Sequence, residues 1–183
     1  MKKYIILFLL LSIPFVKSFS QDDEKWMLNT KKSSVEYNAK HLLHKWNGKN
    51  NNVKGVVYFD NNEVKIAVAA NIADFDSGIS NRDSNALRVL NAFKHPQVRF
   101  YSDKILISDN TISFDGELDF YGIKIKKKLE ASYIITEKTI TIEGGFSIVL
   151  TDFNIKLPSL MLVKMDDLAD ISYKLIFDKN TDN

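Results

Sequence analysis

From residue 111 onward the chain alternates. Ile112, Phe114, Gly116, Leu118 and Phe120 interleave with Thr111, Ser113, Asp115, Glu117 and Asp119, which predicts a strand over 111–120 with one apolar and one wet face. The pattern returns over 139–150, where Ile140, Ile142, Phe146 and Ile148 oppose Thr139, Thr141, Glu143 and Ser147. It appears again at Ile171, Tyr173, Leu175 and Phe177. Between them, residues 123–136 set Ile125, Leu129, Ala131, Tyr133 and Ile135 against Lys124, Lys126, Lys128, Glu130 and Ser132, after a turn at Tyr121-Gly122. That pair predicts a long hairpin. Earlier strands are expected over 35–40, 53–60 and 63–72, the last two joined across Asp60-Asn61-Asn62. Phe100 and Ile105 cannot both face inward on a regular strand, so a bulge or bend is expected between Tyr101 and Lys104.

One segment breaks the period. In RDSNALRVLNAFKHPQVRF, residues 82–100, Leu87, Leu90 and Phe93 recur at helical spacing and predict one short amphipathic helix over about 82–93. Asn81 and Asp83 are candidates to accept hydrogen bonds from its first free N–H groups. Pro96 cannot donate to a ladder and disfavours the α region at His95, so the helix should stop by about Lys94 and a strand should follow, with Val98 and Phe100 on one face. By residue chemistry alone this helix plugs the end of a β-core. The strands number about eight, and such a set closes into a barrel or stacks as a two-sheet sandwich. Periodicity leaves both open, and the difference bears on function, because an eight-stranded barrel has room for its own side chains or one small ligand while a sandwich packs itself full.

The N-terminus changes the charge picture. Met1-Lys2-Lys3 precedes YIILFLLLSIPFV, an apolar run short for a bilayer span, and Ser18 and Ser20 have the spacing of a signal-peptidase site. A secretory signal peptide over 1–20 is expected, with a single mature domain over 21–183. No cysteine ends the apolar run, so a thioether lipid anchor is excluded and no stable membrane anchor is expected after cleavage. Cleavage removes Lys2, Lys3 and Lys17 and no acid, so 25 basic residues fall to 22 against 23 acidic ones. The mature net charge near −1 gives no support to nucleic-acid binding. With no cysteine, stability must come from burial rather than disulfides.

Candidate chemistry is sparse. A metal site would have to be built from His41 and His44 with a carboxylate or His95, and nothing completes it, so neither metal nor cofactor is expected. His41 with Asp83 could form an acid–base pair, but no nucleophile turn or phosphate loop accompanies it, and an enzyme is not expected. Arg82 and Asp83 instead fit a role at the helix start, and His41 a polar contact near a cavity mouth. Trp46 is read as a loop anchor packed on the fold or as a partner contact. Residues 157–163, LPSLMLV, are read as a buried connection or a membrane-facing lip, and the lysine run 124–128 as a solvated strand face.

Several segments together resemble the YceI-like family of secreted bacterial lipid-binding proteins. They are Ser34-Val35 leading to Lys40-His41-Leu42, Val53-Lys54-Gly55, Asn81-Arg82-Asp83, and the run from Leu90-Asn91 through Lys94-His95-Pro96 to Phe100-Tyr101-Ser102. Gly116-Glu117-Leu118 with Tyr121-Gly122, and Leu150-Thr151-Asp152-Phe153-Asn154-Ile155 followed by Pro158, are similar to the family's hairpin and closing segment. Two places depart from it. Asn85-Ala86 stand near the point where relatives carry a histidine and leucine, and His41-Leu42-Leu43-His44-Lys45-Trp46 suggests a distinct loop between the first two strands.

The resemblance implies an antiparallel eight-stranded lipocalin-like barrel with an elongated tunnel for a long-chain isoprenoid or another amphiphilic lipid. It also implies a periplasmic or secreted location and, from the dimers common among relatives, a homodimer. Tunnel-wall positions would then be Tyr37, Val57, Phe59, Ile66, Val68, Phe100, Phe114, Leu118, Phe120, Phe146 and Ile148. Leu87, Leu90 and Phe93 would cap one end, with His41, Arg82 and Asp83 as polar contacts. The alternative is a structural or interaction barrel whose core is filled by its own side chains.

Overall fold

The computed structural model describes residues 24–42, 44–60, 63–160 and 162–180, so the expected signal peptide lies outside the described residues. Strands β1 (Glu24–Leu28), β2 (Ser34–His41), β3 (His44–Asn50), β4 (Lys54–Asp60), β5 (Glu63–Asn71) and β6 (Phe75–Asp76) precede the helix α1 (Ser80–Val89). After it come β7 (Gln97–Ser108), β8 (Thr111–Phe120), β9 (Ile123–Ile135), β10 (Thr139–Val149), β11 (Ser159–Leu160), β12 (Val163–Lys164) and β13 (Leu168–Lys179). Single 3₁₀ turns sit at Ile72–Asp74 and Leu150–Phe153.

The order β1-β4-β5-β7-β8-β9-β10-β13, with β13 returning to β1, closes an antiparallel eight-stranded barrel. Barrel rather than sandwich is therefore the outcome. β13 pairs with β2 along residues 170–174 and with β1 along 177–179, so β1 and β2 are two lengths of one stave. β3 and β4 form the next broken stave, and β5 with β6 a third. We call the end holding β1 and β4 the lower half and the end holding β2, β3 and α1 the upper half.

Where a stave breaks, ladder hydrogen bonds are lost, and buried polar side chains replace them. The described residues contain three buried polar side chains, Ser33, Asn50 and Ser102. The Ser33 hydroxyl, at the β1–β2 break, accepts the Ile176 N–H at 2.9 Å. Asn50, with no exposed surface, donates to the Asn71 carbonyl at 2.9 Å and accepts the Asn52 N–H at 2.7 Å, tying the β3–β4 break to the end of β5. Ser102 sits in the expected bulge, where the β7–β8 register shifts between Tyr101 and Lys104. Its hydroxyl lies 3.0 Å from the Lys104 carbonyl and 3.1 Å from that of Asp115. Opposite the bulge, Gly116 leaves room for Phe100, whose ring carbon Cζ would stand 2.6 Å from an added Cβ.

The lower half is filled by its own side chains, among them Trp26, Val57, Ile140 and Phe177. In the upper half Leu118, Phe120, Ile148, Leu150 and Phe153 form a second cluster, with the rings of Phe120 and Phe153 5.3 Å apart. Outside, Asp115, Glu117 and Asp119 face Lys128, Lys126 and Lys124 across the β8–β9 pair, so these three lysines form the expected solvated face, while Lys127 takes an inward position.

The helix differs from its expected form. It begins two residues early, at Ser80, and neither Asn81 nor Asp83 caps it, because both lie inside its first turn and Ile79 holds the cap position. Asp83 instead accepts the Ser77 N–H at 3.2 Å, fixing the approach to the helix. Asn91, at φ 44°, ends it in the left-handed conformation that asparagine tolerates. Phe93 therefore falls beyond the helix and is fully exposed, so it caps nothing. β1 and β3 are elements that the pattern did not predict; Trp46 lies on β3, not in a loop. Among the described residues no helix is long and apolar enough to cross a membrane.

Asn50→Ala should orphan the Asn71 carbonyl and the Asn52 N–H, at about 1–3 kcal/mol for each buried unpaired group. Urea unfolding should show a loss of about 2–4 kcal/mol with the cooperative transition retained. A loss below about 0.5 kcal/mol would mean that the break does not depend on this side chain.

Candidate ligand-binding cavity

A cavity of about 500 Å³ occupies the upper half of the barrel. Its floor is Phe114, Leu129, Ile142 and Leu175, the top layer of the filled lower half. Its walls come from inward positions of β2, β5, β8, β10 and β13, and α1 roofs it with Ala86, Val89 and Leu90. The space exists because three of those inward positions, Ala39, Ala70 and Ala169, carry only a methyl group. Gly48 adds to it: a Cβ there would stand 2.4 Å from Cε1 of Tyr37, whose ring lies against the bare backbone of β3.

The polar groups collect at one rim, under the helix. Trp46 donates its indole N–H to the Tyr37 hydroxyl, and the Arg82 guanidinium stands 5.7 Å from the centre of the Trp46 ring. That distance is within cation–π range. Burial pushes the Tyr37 hydroxyl above its ordinary pKa, the Asp83 carboxylate adds to the rise, and Arg82 and the Trp46 hydrogen bond oppose it. Arg88 reaches Asn85 at 3.2 Å, and Arg99 reaches Gln97 at 2.9 Å. Among the described residues no ion pair engages Arg82 or Arg88, whereas Arg99 lies on the outer face of β7 opposite Asp119. Tyr173 lies deeper, and burial alone pushes its hydroxyl up to about 12.

Of the positions expected from sequence, Tyr37, Ile66, Val68, Arg82, Asp83, Leu90, Phe100, Phe114, Leu118, Phe120, Phe146 and Ile148 line the cavity. Five do not. Val57 and Phe59 belong to β4, which runs only in the lower half; Val57 is in the filled core and Phe59 packs edge-on to Trp26 at 6.5 Å. Leu87 packs against the upper cluster without lining the cavity, and Phe93 is in solvent. His41 holds the β2–β3 tip to the β11–β12 lip, its Nε2 2.9 Å from the Val163 carbonyl.

Trp46, Ala39, Val89 and Tyr173 line the cavity without having been expected there, Trp46 having been read as a loop anchor or a partner contact. Tyr173 had a signal, its parity with Leu175, whereas Trp46 had little because HKWNGKN shows one apolar residue in its inward set. The histidines do not gather: His41 pairs across the hairpin with His44, while His95 packs on Tyr121 at 5.2 Å. Among the described residues no group of three or more His, Asp or Glu side chains is placed to hold a metal.

Solved structures share this barrel. BcnA of Burkholderia cenocepacia superposes with a TM-score of 0.73 at 20% identity, over 81% of this chain and 98% of its own. A polyisoprenoid binding domain from Saccharophagus degradans, implicated in plant cell wall breakdown, gives 0.70 at 10% identity, over 85% and 98%. The Campylobacter jejuni YCEI protein gives 0.64 at 20% identity, over 77% and 90%. No match was found among curated protein sequences. The model of the YceI-like domain matches residues 26–177, from the first stave of the barrel to the last, and the chain belongs to that family.

Proposed function

We propose that the barrel binds a long isoprenoid or similar amphiphile, with its chain in the cavity and its polar head at the Arg82–Trp46 rim, and that it carries or stores this lipid without catalysis. The observation behind this reading is the contrast within one cavity, apolar over its floor and walls and polar at one rim. A volume of about 500 Å³ falls in the range of single-ligand sites, roughly 300–1,000 Å³. Ten buried methylenes would contribute about 8 kcal/mol before the costs of ordering. The likeness to a structure described as a polyisoprenoid binding domain supports the same ligand class. The alternative of a self-filled barrel fits the lower half, whereas the upper half leaves its centre open. The reading takes the protein as exported, with residues 1–20 removed outside the cytoplasm.

Organic extracts of protein purified from its native envelope should contain a prenyl or acyl lipid by mass spectrometry. Val68→Trp, which puts an indole into the cavity, should abolish that co-purification while circular dichroism and cooperative unfolding persist. A folded, empty native protein that takes up no added chain would sink the proposal.

Arg82→Gln should weaken binding of oleic acid by about tenfold, the loss of one charge-assisted hydrogen bond, and leave oleyl alcohol almost unaffected. Equal losses for both ligands in a titration would show that Arg82 does not meet the head.

The buried Tyr173 hydroxyl gives a pH dependence. Its pKa rises from 10.0 unfolded to about 12 folded, so between those values the unfolded chain ionises while the folded one keeps its proton. Stability is therefore full below about pH 10 and falls as pH rises toward about 12. Thermal unfolding across this window should decline less steeply in Tyr173→Phe than in the unsubstituted protein, and parallel curves would count against a dry cavity wall.

A further inference from the structure

The seam between β9 and β10 is closed over only part of its length. The strands pair from Ile135 opposite Ile140 to Ala131 opposite Gly144, and the register goes no further. Beyond that point β9 continues paired with β8 alone, and β10 continues to Val149 paired with β13 alone. Two unladdered edges thus face each other across a slit in the upper half, beside the cavity. The ladder stops at Gly144-Gly145, and glycine inside a strand marks a bend or a close approach. Close approach holds at both: a Cβ on Gly144 would stand 2.7 Å from the Tyr173 hydroxyl, and one on Gly145 2.8 Å from the Ile171 carbonyl.

Side chains close what the backbone leaves open. Phe146, the first residue past the glycines, lines the cavity. The Lys127 ammonium stands 5.9 Å from the centre of its ring and donates to the Ser147 carbonyl at 2.8 Å, spanning from β9 to β10. Lys127 occupies an inward position of β9, between Ile125 and Leu129, where the alternation would otherwise place an apolar wall residue. The half-buried Ile123 and Ile125 extend the apolar surface along the same edge. Opening this stretch requires Phe146 to leave its packing on Tyr173 and the upper cluster, Ile123 and Ile125 to part from that cluster, and Lys127 to release one exposed hydrogen bond, and it breaks no ladder.

We propose that the slit is a side port of the cavity, closed by Phe146 and strapped by Lys127, through which the apolar tail of the bound amphiphile passes. This rests on the reading of the cavity as a lipid site. The head would stay at the Arg82–Trp46 rim while the tail enters or leaves across the wall.

The chain has no cysteine, so Lys127→Cys with Ser147→Cys can be bridged specifically by a short bismaleimide. Stopped-flow uptake and release of cis-parinaric acid should both slow by about tenfold on bridging, with the dissociation constant changed by less than about threefold. The same bridge between Ile134→Cys and Thr141→Cys, a directly paired position on the closed part of the seam, should leave both rates unchanged. Phe146→Ala without a bridge should speed release. Equal rates with and without the 127–147 bridge, at unchanged affinity, overturn the port and leave the lipid reading intact. Failure of the unbridged protein to take up the probe overturns both.

Discussion

Every backbone N–H and C=O inside a barrel wall needs a partner, and this structure is organised by where the ladder supplies one. In the lower half the ring of strands is continuous and the interior is filled. In the upper half the staves break, and Ser33 and Asn50 stand at the breaks, where each restores a bond that the ladder has lost, as Ser102 does in the β7–β8 bulge. The half whose staves are broken is also the one with a cavity. The same constraint confines loose backbone to the rim and to the β9–β10 slit.

Space and chemistry are separated along the barrel axis. Small residues at Ala39, Ala70, Ala169 and Gly48 keep the upper interior open, while Phe114 and the layer beneath it stop the cavity from running through. The charged groups come from the helix and the indole beside them from β3, and both reach the cavity only at its mouth. An amphiphile is the class of molecule with the same asymmetry.

Much of this was legible in the sequence, for physical reasons that differ by segment. β8 and β10 show a period-two pattern because one face meets the core and the other meets water, and their inward residues are where parity put them. The bulge at Tyr101–Lys104 announced itself as a clash of parity between Phe100 and Ile105. β3 was invisible because its inward positions are Trp46, Gly48 and Asn50, chosen for a cavity rim and a strand break rather than for packing. Val57 and Phe59 were misplaced along the axis because alternation reports which face a residue takes and says nothing of its height in the barrel. Phe93 was misplaced because helical spacing continues in the sequence past Asn91, where the backbone turns left-handed.

The chain has two tryptophans, and the fold sends one to each half. Trp26 is sealed in the filled end, 5% exposed, while Trp46 borders the cavity beneath a guanidinium. The protein therefore carries two native optical labels with unlike surroundings, one answering to the integrity of the closed end and the other to whatever occupies the open one.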